Sequence, residues 1–192
     1  MMRRVANVAV LLIAALLCFG MQTSKPHYAD LTAPIPVYGK IGETIQTRTF
    51  DIAVDKVVFA RTLKFDRFGQ KKLLTTGGIW AIVTARLDAR NRSAMVAAAT
   101  WQGPDGLNYR ATERTSLAAG ALPVALDPGV TGRTRLVFEI LPSQAVGAML
   151  LVSGKLAGPL DSEARIALGA VPAQADGLPD STIETYELSD AF

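Results

Sequence analysis

Cysteine and histidine are almost absent from this 192-residue sequence, which holds one of each, Cys18 and His27. Cys18 lies inside an apolar N-terminal run, so the rest of the chain has no thiol chemistry, no disulfide and no cysteine-based metal site. An oxidising compartment permits disulfides without requiring them, so their lack does not argue against export. Histidine is the usual base of a nucleophile–base pair, and His27 sits in a proline-bearing segment where it reads as a solvated side chain. No Gly-x-Ser-x-Gly elbow, no Ser-x-x-Lys in the body, no glycine-rich phosphate loop and no dinucleotide fingerprint occurs. Paired carboxylates for glycoside hydrolysis would have to come from Asp51, Asp55, Asp88, Asp105 or Glu139, and no spacing selects a pair. No loop has the alternating ligand density of a calcium site. The sequence therefore assigns no catalytic residue, no metal and no cofactor. It points away from an enzyme, with a carboxylate-dependent hydrolase as the minor alternative.

Net charge is also scarce. The formal total is +3 and the isoelectric point is near 9.2, but Arg3 and Arg4 flank the apolar run and belong to targeting. Beyond residue 20 the count is 18 Lys+Arg against 17 Asp+Glu. A near-neutral body does not supply the counterion-release affinity that phosphate backbones demand, so nucleic acid is set aside.

What the sequence does have begins at its N-terminus. Met-Met-Arg-Arg precedes Val5–Met21, which carries no charge, the pattern of a secretion signal or a signal anchor. A spanning helix needs about 17 or more apolar residues, so this run sits at the bound and both fates stay open. Cys18 and Gly20 supply small residues for cleavage after Gly20. A lipoprotein site is disfavoured by Leu17 before the cysteine. The two arginines would stay inside, placing the body outside the membrane, in the periplasm or at the cell surface.

Residues 1–21 are thus read as signal or anchor, and residues 22–42, with Pro26, Pro34 and Pro36, as an extended linker. From Glu43 the texture changes. Phe50, Ile52 and Val54 alternate with Asp51, Ala53 and Asp55, and Trp80–Leu87 repeats the period-2 pattern of a strand. Ala81, Val83, Ala85 and Leu87 make a uniformly apolar face, which is placed toward the core. Met95–Trp101, Asn108–Ala111, Arg133–Leu141, Met149–Val152 and Arg165–Leu168 read as further strands. Gln102–Gly106 and Asp127–Gly129 read as turns. Seven or eight strands with no long helical period imply an all-β, antiparallel sandwich over 43–169. Residues 170–192 follow as an acidic extension in which 182–188 alternate and can add an edge strand.

The order of these features resembles a known family. Gly42-Glu43-Thr44, Trp80–Val83 with Asn91-Arg92-Ser93, Gly106–Tyr109, Leu126–Gly129 and Val137–Pro142 succeed one another across about residues 40–155. This resembles the immunoglobulin-like domain of bacterial envelope proteins related to the mycobacterial immunoprotective extracellular protein. The resemblance implies an immunoglobulin-like β-sandwich behind a signal or anchor segment, with no established catalytic residues to carry over. The segment Arg61–Gly78 and the acidic C-terminus depart from that pattern.

Those two departures hold the uneven charge. Arg61, Lys64, Arg67, Lys71 and Lys72 face only Asp66 within 61–72, and Phe65 and Phe68 are interleaved with them. Such a loop is a candidate contact for an envelope protein, an anionic lipid or a cell-wall polymer. The bland reading is a hairpin extension whose phenylalanines fold back on the sandwich. Residues 161–192 hold seven carboxylates against Arg165, and the opposite charges permit self-association or intramolecular docking. The expected function is a non-catalytic envelope module that binds or scaffolds a partner. The alternative is an accessory subunit assembled through its N-terminal helix.

Overall fold

The computed structural model describes residues 2–24, 32–67, 70–115, 121–155 and 160–188. It divides into two units, Met1–Ala33 and Pro34–Phe192. His27 and Phe68 lie outside the described residues.

The first unit is a single helix, α1 (Met2–Thr23). Its 22 residues rise about 33 Å at 1.5 Å each, close to the thickness of a bilayer's hydrocarbon core. The window Ala6–Thr23 has a mean hydropathy of 1.9 and is not buried against protein. Val8, Leu11, Ile13 and Met21, which point in four directions around the helix, are all exposed, so the apolar surface runs around it rather than along one stripe. By length and composition the helix is apolar enough to cross a membrane, a test that a signal sequence also passes.

The second unit is a two-layer β-sandwich. Strands β1 (Ile35–Lys40), β2 (Thr44–Gln46), β3 (Phe50–Arg67), β4 (Gln70–Ala89), β5 (Ala94–Val96) and β6 (Ala98–Gln102) come first. They are followed by β7 (Asn108–Arg110), β8 (Val124–Leu126), β9 (Gly132–Ile140), β10 (Met149–Ser153), β11 (Ser162–Ala167) and β12 (Ile183–Leu188). One sheet has the order β1-β11-β10-β6-β7; the other has β12-β3-β4-β9, with β2 also on β3. A small third sheet pairs β5 with β8.

Period-2 patterning builds the core between the layers. Phe50, Ile52 and Val54 of β3, Ala81, Val83, Ala85 and Leu87 of β4, and Leu136, Phe138 and Ile140 of β9 face Ala99, Trp101, Leu150, Val152, Ala164 and Ile166 of the other sheet. Trp101 joins the layers, meeting Phe59 edge-on at 6.0 Å and Phe138 at 5.9 Å. Its Nε1–H donates to Gln144 O at 2.9 Å. Burial of a large apolar side chain contributes about 1.5–3 kcal/mol, so this layer contact is the main source of stability.

Several sequence expectations need correction. The linker assigned to 22–42 contains β1, which runs parallel to β11, Ile35 opposite Ser162 and Lys40 opposite Ala167. Pro36 obscured it, because a proline breaks a strand pattern; on an edge strand its missing N–H costs nothing. Likewise the C-terminal extension is not separate from the domain. Leu178 is buried in the main core, and Ile183–Leu188 pairs with β3, also in parallel. Among the described strand pairs, the sandwich is therefore antiparallel except at these two edges. Met95–Trp101, expected as one strand, breaks at Ala97, whose N–H bonds Ser153 O at 3.1 Å. β5 and β6 consequently belong to different sheets.

Candidate interaction site on the β3–β4 hairpin

β3 and β4 continue well past the sandwich as one long hairpin, because Arg61–Gly78 keeps strand-forming residues on both arms. The pairing shifts between Val54 and Lys56 and again between Ala60 and Thr62. At the second shift Ala60 faces Trp80 while Thr62 faces Thr75, so β4 accommodates several extra residues at Thr76–Ile79. Such bulges bend a ribbon and re-aim its side chains.

Beyond the bend, Leu63 and Phe65 join Ala60, Trp80, Ile82, Val137 and Leu188 in a second buried cluster, with Leu74 and Tyr186 packed against it. Trp80 and Ile82 lie on the face of β4 opposite the main core. That face reads as solvent-directed in the sequence, yet both residues are fully buried. Hydrophobic burial drives this fold-back, and with β12 in place Phe65 is buried rather than exposed.

The charged residues of the hairpin sort into two groups. Arg61 lies 3.8 Å from Glu184 and Lys64 lies 3.2 Å from Glu187, so the acidic end of the chain docks on the basic arm of β3. Register pairs of β12 with β3 include Thr185 with Thr62, Glu187 with Lys64 and Leu188 with Phe65. On β4, Lys71 and Lys72 are exposed, and Leu73 beside them is 66% exposed. Arg67 ends β3 opposite Gln70; its side chain, like Phe68, is outside the described residues.

The carboxylates considered for catalysis each have a partner. Asp51 lies 3.3 Å from Arg90, Asp55 2.9 Å from Arg86 and Glu139 3.0 Å from Arg114. Asp88 accepts from the Thr131 hydroxyl, and Asp105 accepts from Gln144 Nε2 at 2.6 Å. Asp51 and Asp88 are cross-strand neighbours, each turned to its own partner. Among the described residues, no group of three or more His, Cys, Asp or Glu is gathered to hold a metal ion.

One cluster has no clear sequence signal. Arg114 stacks over the Trp80 ring at 5.2 Å and donates to Glu139 and to Thr75 O, while Thr112 donates to Glu139 at 3.2 Å. It pins the loop after β7 to the base of the hairpin. Glu139 comes to lie opposite Trp80 only through the register of β4 with β9.

No protein-family model matches the chain, and no curated protein matches it. Among solved structures it is similar to the yjhA protein from Bacillus subtilis, with a TM-score of 0.50, 14% identity, and coverage of 67% of this chain and 98% of that one. It is also similar to MPT63, a secreted protein from Mycobacterium tuberculosis, with a TM-score of 0.49, 14% identity and coverage of 69% and 98%. An uncharacterized β-sandwich protein from Clostridium difficile 630 has a TM-score of 0.42, 12% identity and coverage of 74% and 99%. At 14% identity the likeness to the Bacillus subtilis protein is one of fold alone, and this chain carries an apolar helix followed by an all-β sandwich.

Proposed function

We propose that this chain is a non-catalytic, exported envelope protein held to a membrane by α1, whose sandwich presents the β3–β4 hairpin to an anionic surface. The observation that carries this reading is the sorting of side chains on the hairpin. Leu63, Phe65 and Leu74 turn inward, while Lys71, Lys72 and Leu73 stand in solvent. An exposed leucine beside two lysines suits a surface of anionic headgroups, where cations meet charge and the leucine enters the interface. The apolar girth of α1 supports anchoring, since lipid satisfies a helix that is hydrophobic all round.

The test uses the full chain held in zwitterionic nanodiscs, mixed with phosphatidylglycerol-containing vesicles or with pure phosphatidylcholine vesicles. The expected result is co-sedimentation with the anionic vesicles alone, lost in raised salt and lost in Lys71→Glu/Lys72→Glu. Equal recovery on both vesicle types, or no effect of the substitutions, removes the hairpin from the account. N-terminal sequencing of the membrane fraction after carbonate extraction separates a retained anchor from a cleaved signal.

A further inference from the structure

A sheet edge presents unpaired main-chain groups that invite another strand, and two edges of this chain are protected in different ways. β1 is blunted: Pro36 has no N–H to offer, and the Lys40 N–H is taken by Glu43 Oε2 at 3.0 Å. The outer edge of β3 at Ala60–Phe65 is instead covered by β12.

Beyond its ladder and side-chain contacts on β3, the cover is fastened from behind by the segment that leads into it. Leu178 is buried, and Gly177 packs so closely that a Cβ there would lie 2.7 Å from Ser143 Cα. The Asp180 N–H bonds Pro172 O at 2.9 Å. A last turn, from Thr182 N–H to Pro179 O at 3.0 Å, leads directly into β12. Within β12 itself only Leu188 is buried, whereas Ile183, Glu184, Thr185 and Glu187 are exposed. The strand lies outside the main core between the layers and reaches only the second cluster, through Leu188 and Tyr186.

We propose that Ala60–Phe65 is a strand-acceptor edge for an extended acidic segment of a partner protein, and that β12 is the resident occupant which such a segment displaces. Three features define what fits. The β3 main chain offers a parallel hydrogen-bonding ladder, which gives affinity without sequence. Leu63 and Phe65 provide two apolar seats, now used by Tyr186 and Leu188. Arg61 and Lys64 provide two cations, now used by Glu184 and Glu187. The fitting segment therefore carries a carboxylate, an apolar or aromatic residue two positions on, then a second carboxylate and a second apolar residue. A basic strand is refused by the same two cations. This edge is distinct from the Lys71–Leu73 surface of β4, and the two readings stand or fall separately.

The experiment weakens the occupant without touching the seats. The full-length Glu184→Lys/Glu187→Lys chain sets like charges against Arg61 and Lys64, and all four side chains are partly or fully exposed, so the body is expected to fold. A labelled peptide of the native Ile183–Leu188 sequence is titrated against it and read by fluorescence anisotropy. The expected result is saturable binding about tenfold tighter than to the wild-type chain, whose own strand competes. A scrambled peptide should not bind. The chain that also carries Arg61→Glu/Lys64→Glu should reject the native peptide, because its lysine-bearing strand is again complementary. No binding to the Glu184→Lys/Glu187→Lys chain, equal binding of the scrambled peptide, or binding unmoved by the charge swap each overturns the proposal. A wild-type dimer that Glu184→Lys/Glu187→Lys dissolves would assign the edge to a second copy and overturn it as well.

Discussion

Lys64 Nζ lies 3.2 Å from Glu187 Oε1, and the two residues are direct partners in the parallel register of β3 and β12. The pair links the most basic stretch of the chain to its acidic end. Both side chains remain partly exposed, so the pair contributes about 0–1 kcal/mol and sets register more than stability. Lys64→Glu and Glu187→Lys should each speed amide hydrogen exchange in β12, and the double variant should restore protection. The coupling should be about 0.5–1 kcal/mol at low salt and shrink as salt screens it. Zero coupling at low salt would make the contact incidental.

The two tryptophans offer a contrast in buried polar chemistry. Both are fully buried, but Trp101 Nε1 donates to Gln144 O while Trp80 Nε1 has no acceptor among the described residues. Trp101→Phe leaves a buried carbonyl short of a partner, which costs about 1–3 kcal/mol beyond the lost ring volume. Trp80→Phe removes a donor that was already unsatisfied, so the polar part of its cost should vanish. Denaturant unfolding should therefore show Trp101→Phe as the more destabilising exchange. The reverse order would contradict the assigned hydrogen bonding.

The contrast also explains which parts of the fold were readable from sequence. Phe50, Ile52 and Val54, and Ala81, Val83, Ala85 and Leu87, announce themselves because alternation places them on one buried face. Trp80 and Ile82 do not, because their burial depends on a bend that returns the hairpin over the outer face. That bend comes from register shifts between the paired strands, which alternation along one strand does not reveal. β1 was hidden by Pro36, and three-residue strands such as β2, β5 and β8 are too short to show a period. The charge asymmetry between 61–72 and the C-terminus was legible, as was the alternation of 182–188. The pairing of Arg61 with Glu184 and Lys64 with Glu187 required the parallel register, which joins segments far apart in the chain. The Arg114–Glu139–Trp80 cluster was illegible for the same reason.

Asp161 gives the fold a defined acid sensitivity. Burial alone would raise its pKa, but the Ser162 N–H and the Arg48 guanidinium outweigh that effect and hold it below the ordinary carboxylate value. The contact to Arg48 is 2.9 Å, and the Asp161 carbonyl also receives the Ile35 N–H at 2.8 Å, so the residue fastens the start of β1 to β11. A depressed carboxylate stabilises the fold above its unfolded pKa, near 4, and that stability is lost as pH falls through the lower folded value. Asp161→Asn should lower the melting temperature at pH 6. Its deficit against wild type should shrink in more acidic buffer as the wild-type carboxylate protonates. A deficit that is constant from pH 6 down to pH 2.5 would sink this assignment.

The bend of the hairpin depends on one glycine and is indifferent to its neighbour. A Cβ on Gly78 would lie 2.1 Å from Ile140 O, a main-chain atom of the adjacent strand, whereas a Cβ on Gly77 would meet nothing within 4 Å. Because Ile140 O belongs to backbone held in β9, it cannot swing aside as a side chain would. Gly78→Ala must therefore push β4 away from β9 where the hairpin turns back over Trp80. Overpacking of this kind costs about 1–3 kcal/mol. Gly77→Ala should be neutral or stabilise by up to about 1 kcal/mol through the unfolded chain. If the fold-back shields Trp80 as its complete burial indicates, Gly78→Ala should also expose the Trp80 indole N–H to solvent exchange while leaving that of Trp101 protected. Equal stability of the two alanine variants, or loss of protection at both indoles together, would mean that the bend is not the independent unit this geometry describes.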